Sequence, residues 1–244
     1  MNTNPVFEAP PGPHLRSDTD WTALTETLQS HGSAVLAQLL SAAECESLVK
    51  LYPQISHFRS RVVMARHSFG RGEYQYFNYP LPGLVQALRA TLYPRLVGVA
   101  NRWNEAMGID VRFPPEHADF LARCHAAGQT RPTPLLLQYA EGDYNCLHQD
   151  LYGEHVFPLQ LAVLLSRPHE DFTGGEFVLT EQRPRMQSRP EVVPLAQGDA
   201  VIFAVHHRPV QGSKGFYRVN MRHGVSQLRS GQRHTLGVIF HDAQ

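Results

Sequence analysis

The sequence predicts a mainly β protein with helices at its N-terminal end, and two observations carry that prediction. After RPTP (131–134), short apolar segments alternate with turn residues: LLLQY, CLHQDL, HVFPLQLAVLLS, GEFVLT, EVVPLA, DAVIFAV, FYRVNMRHGV and RHTLGVIFHD. Eight strand candidates at this rhythm point to a sandwich or barrel rather than to βαβ units. Before residue 131, apolar residues recur at helical spacing in three stretches instead. The expected organisation is a flexible arm over 1–18, a helical and mixed region over 19–130 that packs on the core and contributes a substrate lid, and a β core over 131–244.

In chain order, SAAECESLVKLY (41–52) starts like a helix, because Ser41 can cap it and Glu44 three residues on completes a capping box. Leu48, Val49 and Leu51 give it an apolar face. LVQALRATLYPRLVGVANRWNEAMG (84–108) is also helical, with Leu84, Leu88 and Leu92 on one stripe; Pro94 is expected to kink or split it and Gly108 to end it. HADFLARCHAAG (117–128) is the third helix, which places His117 and Asp119 on a helix surface. The glycines of FTGGEF make a turn before a strand.

The 22 basic residues match the 22 acidic ones, so no global field draws in nucleic acid or an anionic membrane, and such binding would need a local patch. Cys45, Cys124 and Cys146 are scattered without a C-x-x-C, which suits a reducing compartment and argues against a disulfide or zinc framework. The start, MNTNPVFEAPPGPHLRSDTD, lacks the charged-then-apolar pattern of a secretion signal, and no apolar run approaches the roughly 20 residues of a membrane span. A cytoplasmic protein with no membrane partner is expected.

Three H-x-D tripeptides occur: His117–Asp119, His148–Asp150 and His169–Asp171. Residues i and i+2 share a face in a strand but lie on opposite sides of a helix. The first tripeptide is on a helix and the third in the turn RPHEDFTGG, so only His148 and Asp150, on the second strand candidate, have the geometry to chelate. Two histidines and one carboxylate on one face of iron leave adjacent positions open, the arrangement of non-haem Fe(II) oxygenases. Candidates for the second histidine are His206, His207, His223, His234 and His241. The pair His206–His207 follows AVIFAV too closely to reach the next strand, although one of the two can line a pocket. His223 ends the seventh strand candidate, and Arg233 begins the eighth ten residues later. If those strands pair as a hairpin across LRSG, both side chains can face the interior. A buried arginine there needs an anion, which a dicarboxylate would supply through a bidentate pair.

The ordered set H-x-D, GDAVIF (198–203) and H-G-V-x-x-x-x-G-x-R resembles the Fe(II)- and 2-oxoglutarate-dependent dioxygenases, which are built on a double-stranded β-helix, or jelly roll. The resemblance covers residues 131–244 and continues upstream, where SAVLAQLLSAAECESLV looks like the strand-then-helix entry of prolyl-hydroxylase-like members. It implies a jelly-roll catalytic core with supporting helices, His148, Asp150 and His223 as iron ligands and catalytic residues, and Arg233 on the distal carboxylate of 2-oxoglutarate. QYAEGDYNCLHQD (138–150) is further similar to AlkB-type demethylases of alkylated nucleic acids, and implies a co-substrate contact for Tyr139. The chain departs from those relatives at Leu137, where they carry asparagine. From LHQDLYGEHVFPLQ to RHTLGVIFHDA it looks most like a small bacterial family labelled as oxygenases acting on damaged DNA.

The implied chemistry uses Fe(II), 2-oxoglutarate and O₂ to hydroxylate a substrate C–H, with release of succinate and CO₂. Oxidative demethylation of an alkylated nucleotide, hence DNA repair, is one outcome. Hydroxylation of a protein side chain or small molecule is the alternative, and a non-catalytic sensor of metal or 2-oxoglutarate is a third. Arg59, Arg61, Arg66 and Arg71 lie among Phe69, Tyr74, Tyr76, Phe77 and Tyr79 in FRSRVVMARHSFGRGEYQYFNYP (58–80), and Arg183, Arg185 and Arg189 lie in QRPRMQSRP (182–190). Arginine contacts phosphate and aromatic rings stack on bases, so Arg66, Arg71, Tyr76 and Arg185 are the candidate substrate residues. Cys146 shares parity with His148 and Asp150, which would allow it to point inward near the metal, but a small buried thiol is the expectation. The oligomeric state is not legible in the sequence.

Overall fold

The computed structural model describes residues 19–244, so the arm expected over 1–18 lies outside the described residues. The helices are α1 (Trp21–His31), α2 (Ala42–Val49), α3 (Gly83–Ala106) and α4 (His117–Ala126). The strands are β1 (Ser33–Leu36), β2 (Phe58–Val63), β3 (Gly70–Arg71), β4 (Glu73–Phe77), β5 (Leu135–Ala140), β6 (Tyr144–His148), β7 (Leu159–Leu164), β8 (Phe172–Gly174), β9 (Phe177–Gln182), β10 (Arg189–Val193), β11 (Ala200–Ala204), β12 (His207–Gly212), β13 (Gly215–Val225) and β14 (Leu228–Val238). They form two antiparallel sheets. One has the order β1-β11-β7-β14-β5-β4-β2 with β8 on β14, and the other β10-β9-β13-β6-β3 with β12 on β13. This is the mainly β, jelly-roll architecture expected, with helices supporting one sheet.

Strand alternation explains the layering. Along β7, Leu159, Leu161 and Val163 join the large core under the helices, whereas Ala162 and Leu164 turn to the space between the sheets. In β11, Ala200, Ile202 and Ala204 face the helices, and Val201 and Phe203 face inward. The central strands β7 and β11 are thus buried on both faces, which is why they read as continuous apolar runs. Residues 58–77, rich in arginine and aromatics, form β2, β3 and β4; β4 pairs with β5 and extends this sheet.

Asp20 caps α1 by accepting from the Thr22 and Ala23 amides, and Gly32, at φ 80°, ends it. The capping box of Ser41 and Glu44 forms as expected. Pro94 does not split α3. The helix continues through it because Leu88, Leu92, Leu96, Val99 and Trp103 pack as one buried stripe on both sides of the proline. His117 is not on the surface: α4 buries the face carrying His117, Phe120 and Cys124, and the His117 Nε2 lies 2.8 Å from the Phe240 carbonyl. Asp119, on the opposite face, is exposed.

The hairpin across 228–231 does not form. β13 pairs with β6, β9 and β12 in one sheet, and β14 pairs with β5, β7 and β8 in the other. Only Ser226 and Gln227 separate them, and the chain crosses from sheet to sheet there.

Candidate active site

A cavity of about 340 Å³ lies between the sheets, and His148, Asp150, His223, Arg233 and Tyr139 all line it. Its size suits a small-molecule site. His148 is the last residue of β6, and Asp150 follows on irregular chain. His223 comes from β13, paired directly with His148 in the ladder. The three residues can each offer one ligand atom, all within 4.8 Å of one another. The imidazole centroids are 4.2 Å apart, and Asp150 places Oδ1 3.5 Å from His148 Nε2 and Oδ2 3.3 Å from His223 Nε2.

The chemistry of this donor set fits a divalent iron site. His148 Nδ1 sits 2.8 Å from the Cys146 carbonyl, which holds the proton on that nitrogen and leaves the Nε2 lone pair for a metal. Burial, reinforced by His148, lowers the pKa of His223 and keeps the imidazole neutral, as ligation needs. Burial raises the pKa of Asp150, but the hydrogen bond of His223, the charge that either histidine carries when protonated and the hydrogen bond of Gln160 outweigh it and hold the carboxyl well below its usual range. Tyr152 donates to Asp150 Oδ1 at 2.8 Å, and Gln160 donates to Oδ2 at 2.7 Å. His223 Nδ1 is buried without a partner.

Arg233 is 2 % exposed, yet it makes no ion pair with a described residue. One terminal nitrogen donates to Thr235 Oγ1, Nε has no partner, and the guanidinium lies 5.8 Å from the Tyr139 and Phe172 ring centroids. Burial lowers its pKa to about 10, so it remains a cation at neutral pH. A buried cation without an anion is costly, and this one lines the same cavity as the three ligands. Tyr139 is fully buried beside it, with its hydroxyl 3.4 Å from Asn145 Nδ2.

The candidate substrate residues are less convergent. Tyr76 lines the cavity, whereas Arg66, Arg71 and Arg185 do not. Arg66 is exposed in the turn after β2, Arg71 is 3.8 Å from Asp143, and Arg185 sits exposed on the β9–β10 loop at φ 63°. Arg59 stacks on Tyr76 at 4.4 Å, and Arg61 pairs with Glu73. Arg183 and Arg189 gather with Arg208 around the buried Glu181. Phe69, 47 % exposed, lines the mouth and stacks on His67. Cys146 is exposed rather than buried, because β6 is an outer strand flanked on one side only by the two-residue β3. His206 and His207 stack on each other at 3.5 Å, and neither lines the cavity.

Among the lining residues, Tyr152, Gln160 and Thr235 were not singled out from the sequence. Signals existed for two of them. Gln160 interrupts the apolar run LQLAVLL, and Thr235 stands two residues beyond Arg233, hence on the same strand face.

A family model described as "oxygenase, catalysing oxidative methylation of damaged DNA" matches residues 72–243. An uncharacterized protein of Mycobacterium tuberculosis is 50 % identical over 167 residues, covering 68 % of this chain and 72 % of its own. Among solved structures, a prolyl hydroxylase from Trichoplax adhaerens, in complex with a hypoxia inducible factor peptide fragment, superposes with a TM-score of 0.57 at 14 % identity, over 89 % of this chain and 86 % of that one. A prolyl-4-hydroxylase from Pseudomonas putida gives a TM-score of 0.53 at 14 % identity, over 89 % and 96 %. An oxidoreductase of the 2OG-Fe(II) oxygenase family from Burkholderia pseudomallei gives 0.52 at 13 %, over 93 % of each chain. These structures share the fold, and the family match covers β4 to β14 and all three candidate ligands. The chain belongs to the oxygenase family described for damaged DNA, an oxidoreductase family built here on the fold of the 2-oxoglutarate- and iron(II)-dependent oxygenases.

Proposed function

We propose that the protein is an Fe(II)- and 2-oxoglutarate-dependent dioxygenase that hydroxylates an alkyl group on a nucleobase. The observation that carries the oxygenase reading is one cavity holding both the His148–Asp150–His223 cluster and the unpaired, buried Arg233. When bound, iron with 2-oxoglutarate and O₂ supplies the chemistry: oxidative decarboxylation to succinate and CO₂, with one oxygen atom delivered to a substrate C–H. His148, Asp150 and His223 would hold the metal. Arg233 would take the distal carboxylate of the co-substrate in a charge-assisted pair, with Thr235 fixing the guanidinium and Tyr139 closing the wall beside it. The aromatic and aliphatic lining excludes water from the reacting end.

The nucleobase reading rests on the description of the family and on the cavity itself, whose tyrosines and Phe69 offer flat, uncharged surfaces to one flipped base. Hydroxylation of an N-methyl group gives a hemiaminal, which breaks its C–N bond to release formaldehyde and return the N–H. A second reading has its own observation: most arginines of 58–80 and 182–190 are engaged by the protein's own acids or carbonyls, leaving little to bind phosphates. Hydroxylation of a peptide side chain or small molecule needs no phosphate track.

The test is succinate production by iron-loaded protein with 2-oxoglutarate and O₂, with and without a methylated single-stranded oligonucleotide. Succinate and formaldehyde that rise together with the oligonucleotide, and vanish in His148→Ala, are the expected result. Slow succinate indifferent to the oligonucleotide would remove the nucleobase and favour the second reading. Its absence under every substrate would remove the oxygenase reading for this chain.

A further inference from the structure

Asp150 lies two residues beyond the end of β6, on chain without regular structure, so no ladder fixes its carboxylate. Two side chains reach it, Gln160 from β7 and Tyr152 from two residues further along the same segment. Gln160 belongs to β7, whose burial is complete along its length, and it is the strand's one polar residue. An amide in such a strand is costly unless paired. Its Nε2 donates to Asp150 Oδ2 at 2.7 Å, whereas its Oε1 is buried without a partner. The carboxylate therefore dictates the amide's orientation, since a flipped amide would set oxygen against oxygen. From the other side, the Tyr152 hydroxyl donates to Oδ1 at 2.8 Å. The Tyr152 ring is held edge-on by Tyr76, with centroids 6.4 Å apart, and Tyr76 in turn meets Tyr74 edge-on at 5.4 Å.

We infer that Tyr152 and Gln160 are positioning residues that clamp the Asp150 carboxylate, one donor on each oxygen, in the orientation that ligates the metal. In this role they act through Asp150, although both also line the cavity. The clamp does for a ligand on irregular chain what the β6–β13 ladder does for His148 and His223. It rests on the reading of His148, Asp150 and His223 as a metal centre.

Tyr152→Phe removes one hydroxyl, and Gln160→Met keeps the volume while leaving an apolar wall, so each variant deletes one arm of the clamp. The measurement is calorimetric titration of Mn(II) into metal-free wild type and both variants, with the visible spectrum of the Co(II)-loaded proteins and the melting temperature of the metal-free forms. The expected result is a Kd for Mn(II) raised about 10- to 100-fold in each variant. Displaced Co(II) absorption bands should accompany it, with melting temperatures near that of wild type. Metal-free variants that melt as wild type, bind Mn(II) as wild type does and give its Co(II) spectrum would overturn the clamp alone. Wild type that binds no more Mn(II) than Asp150→Ala would overturn the metal centre and the clamp together.

Discussion

Arg233 carries a charge that the folded protein itself leaves unanswered, and this makes it separable from the rest of the site. Arg233→Met should raise the KM for 2-oxoglutarate at least about 30-fold, as truncating one partner of a buried charge pair does, while Mn(II) affinity stays as in wild type. The same substitution should raise the melting temperature of the ligand-free protein, because it removes a buried, uncompensated cation. A lower melting temperature with unchanged KM would contradict both expectations. The residues of the cluster were legible because strand parity and order along the chain are local properties. His148 and Asp150 come together even though the strand stops at His148, so parity alone does not explain their meeting. Gln160 and Thr235 left a trace of their place but not of their role, and Tyr152 left neither, since what they do depends on partners met only in three dimensions. His117 was misplaced for the opposite reason: a polar residue reads as exposed until a carbonyl such as that of Phe240 satisfies it in the core.

At the scale of elements, the eight strand candidates each overlap a strand of the structure, while the choice of sheet for each was not readable. Pairing is set by non-local contacts, and the short Ser226–Gln227 link looks in sequence like part of a hairpin although it joins two sheets. β12 escaped because HRPVQG has almost no apolar alternation, and α1 because it buries little beyond Leu24 and Leu28. One turn is under tight constraint. Gly198, before β11, adopts φ 84°, and a Cβ there would lie 2.1 Å from the Leu40 carbonyl oxygen. The Leu40 amide also donates to the Gly198 carbonyl at 3.1 Å, tying the β10–β11 turn to the entry of α2. Gly198→Ala should cost at least about 1–2 kcal/mol from the left-handed conformation alone, with the clash in addition. A urea unfolding midpoint equal to that of wild type would sink this expectation.

Across the whole molecule, the C-terminal residues fasten the helices to the sheets. Asp242, fully buried, pairs with Arg89 of α3 at 3.0 Å and accepts from Tyr79 at 2.8 Å; His125 Nε2 of α4 lies 2.8 Å away. Two histidines in this region, His117 and His241, have pKa values lowered by burial to about 4. Between that value and the ordinary one near 6.5, the unfolded chain binds more protons than the folded one. Stability is therefore full at neutral pH and falls as the pH drops from about 6.5 to 4, each histidine contributing up to roughly 1.4 kcal/mol per pH unit. Thermal melts of metal-free protein from pH 7 to 4.5 should show this loss, with a shallower slope for His117→Gln; parallel curves would exclude His117 as a source. Among the described residues, no helix is long and apolar enough to cross a membrane. The crossing of the chain at Ser226 and Gln227 has a consequence for co-substrate choice. It puts His223 on one jaw of a caliper and Arg233 on the other, and the opening of the jaws is the gap between two sheets rather than the reach of a loop. A gap set by packed strands does not stretch, so under the proposed roles of His223 and Arg233 oxaloacetate, one carbon short, and 2-oxoadipate, one carbon long, should both fail where 2-oxoglutarate spans the opening.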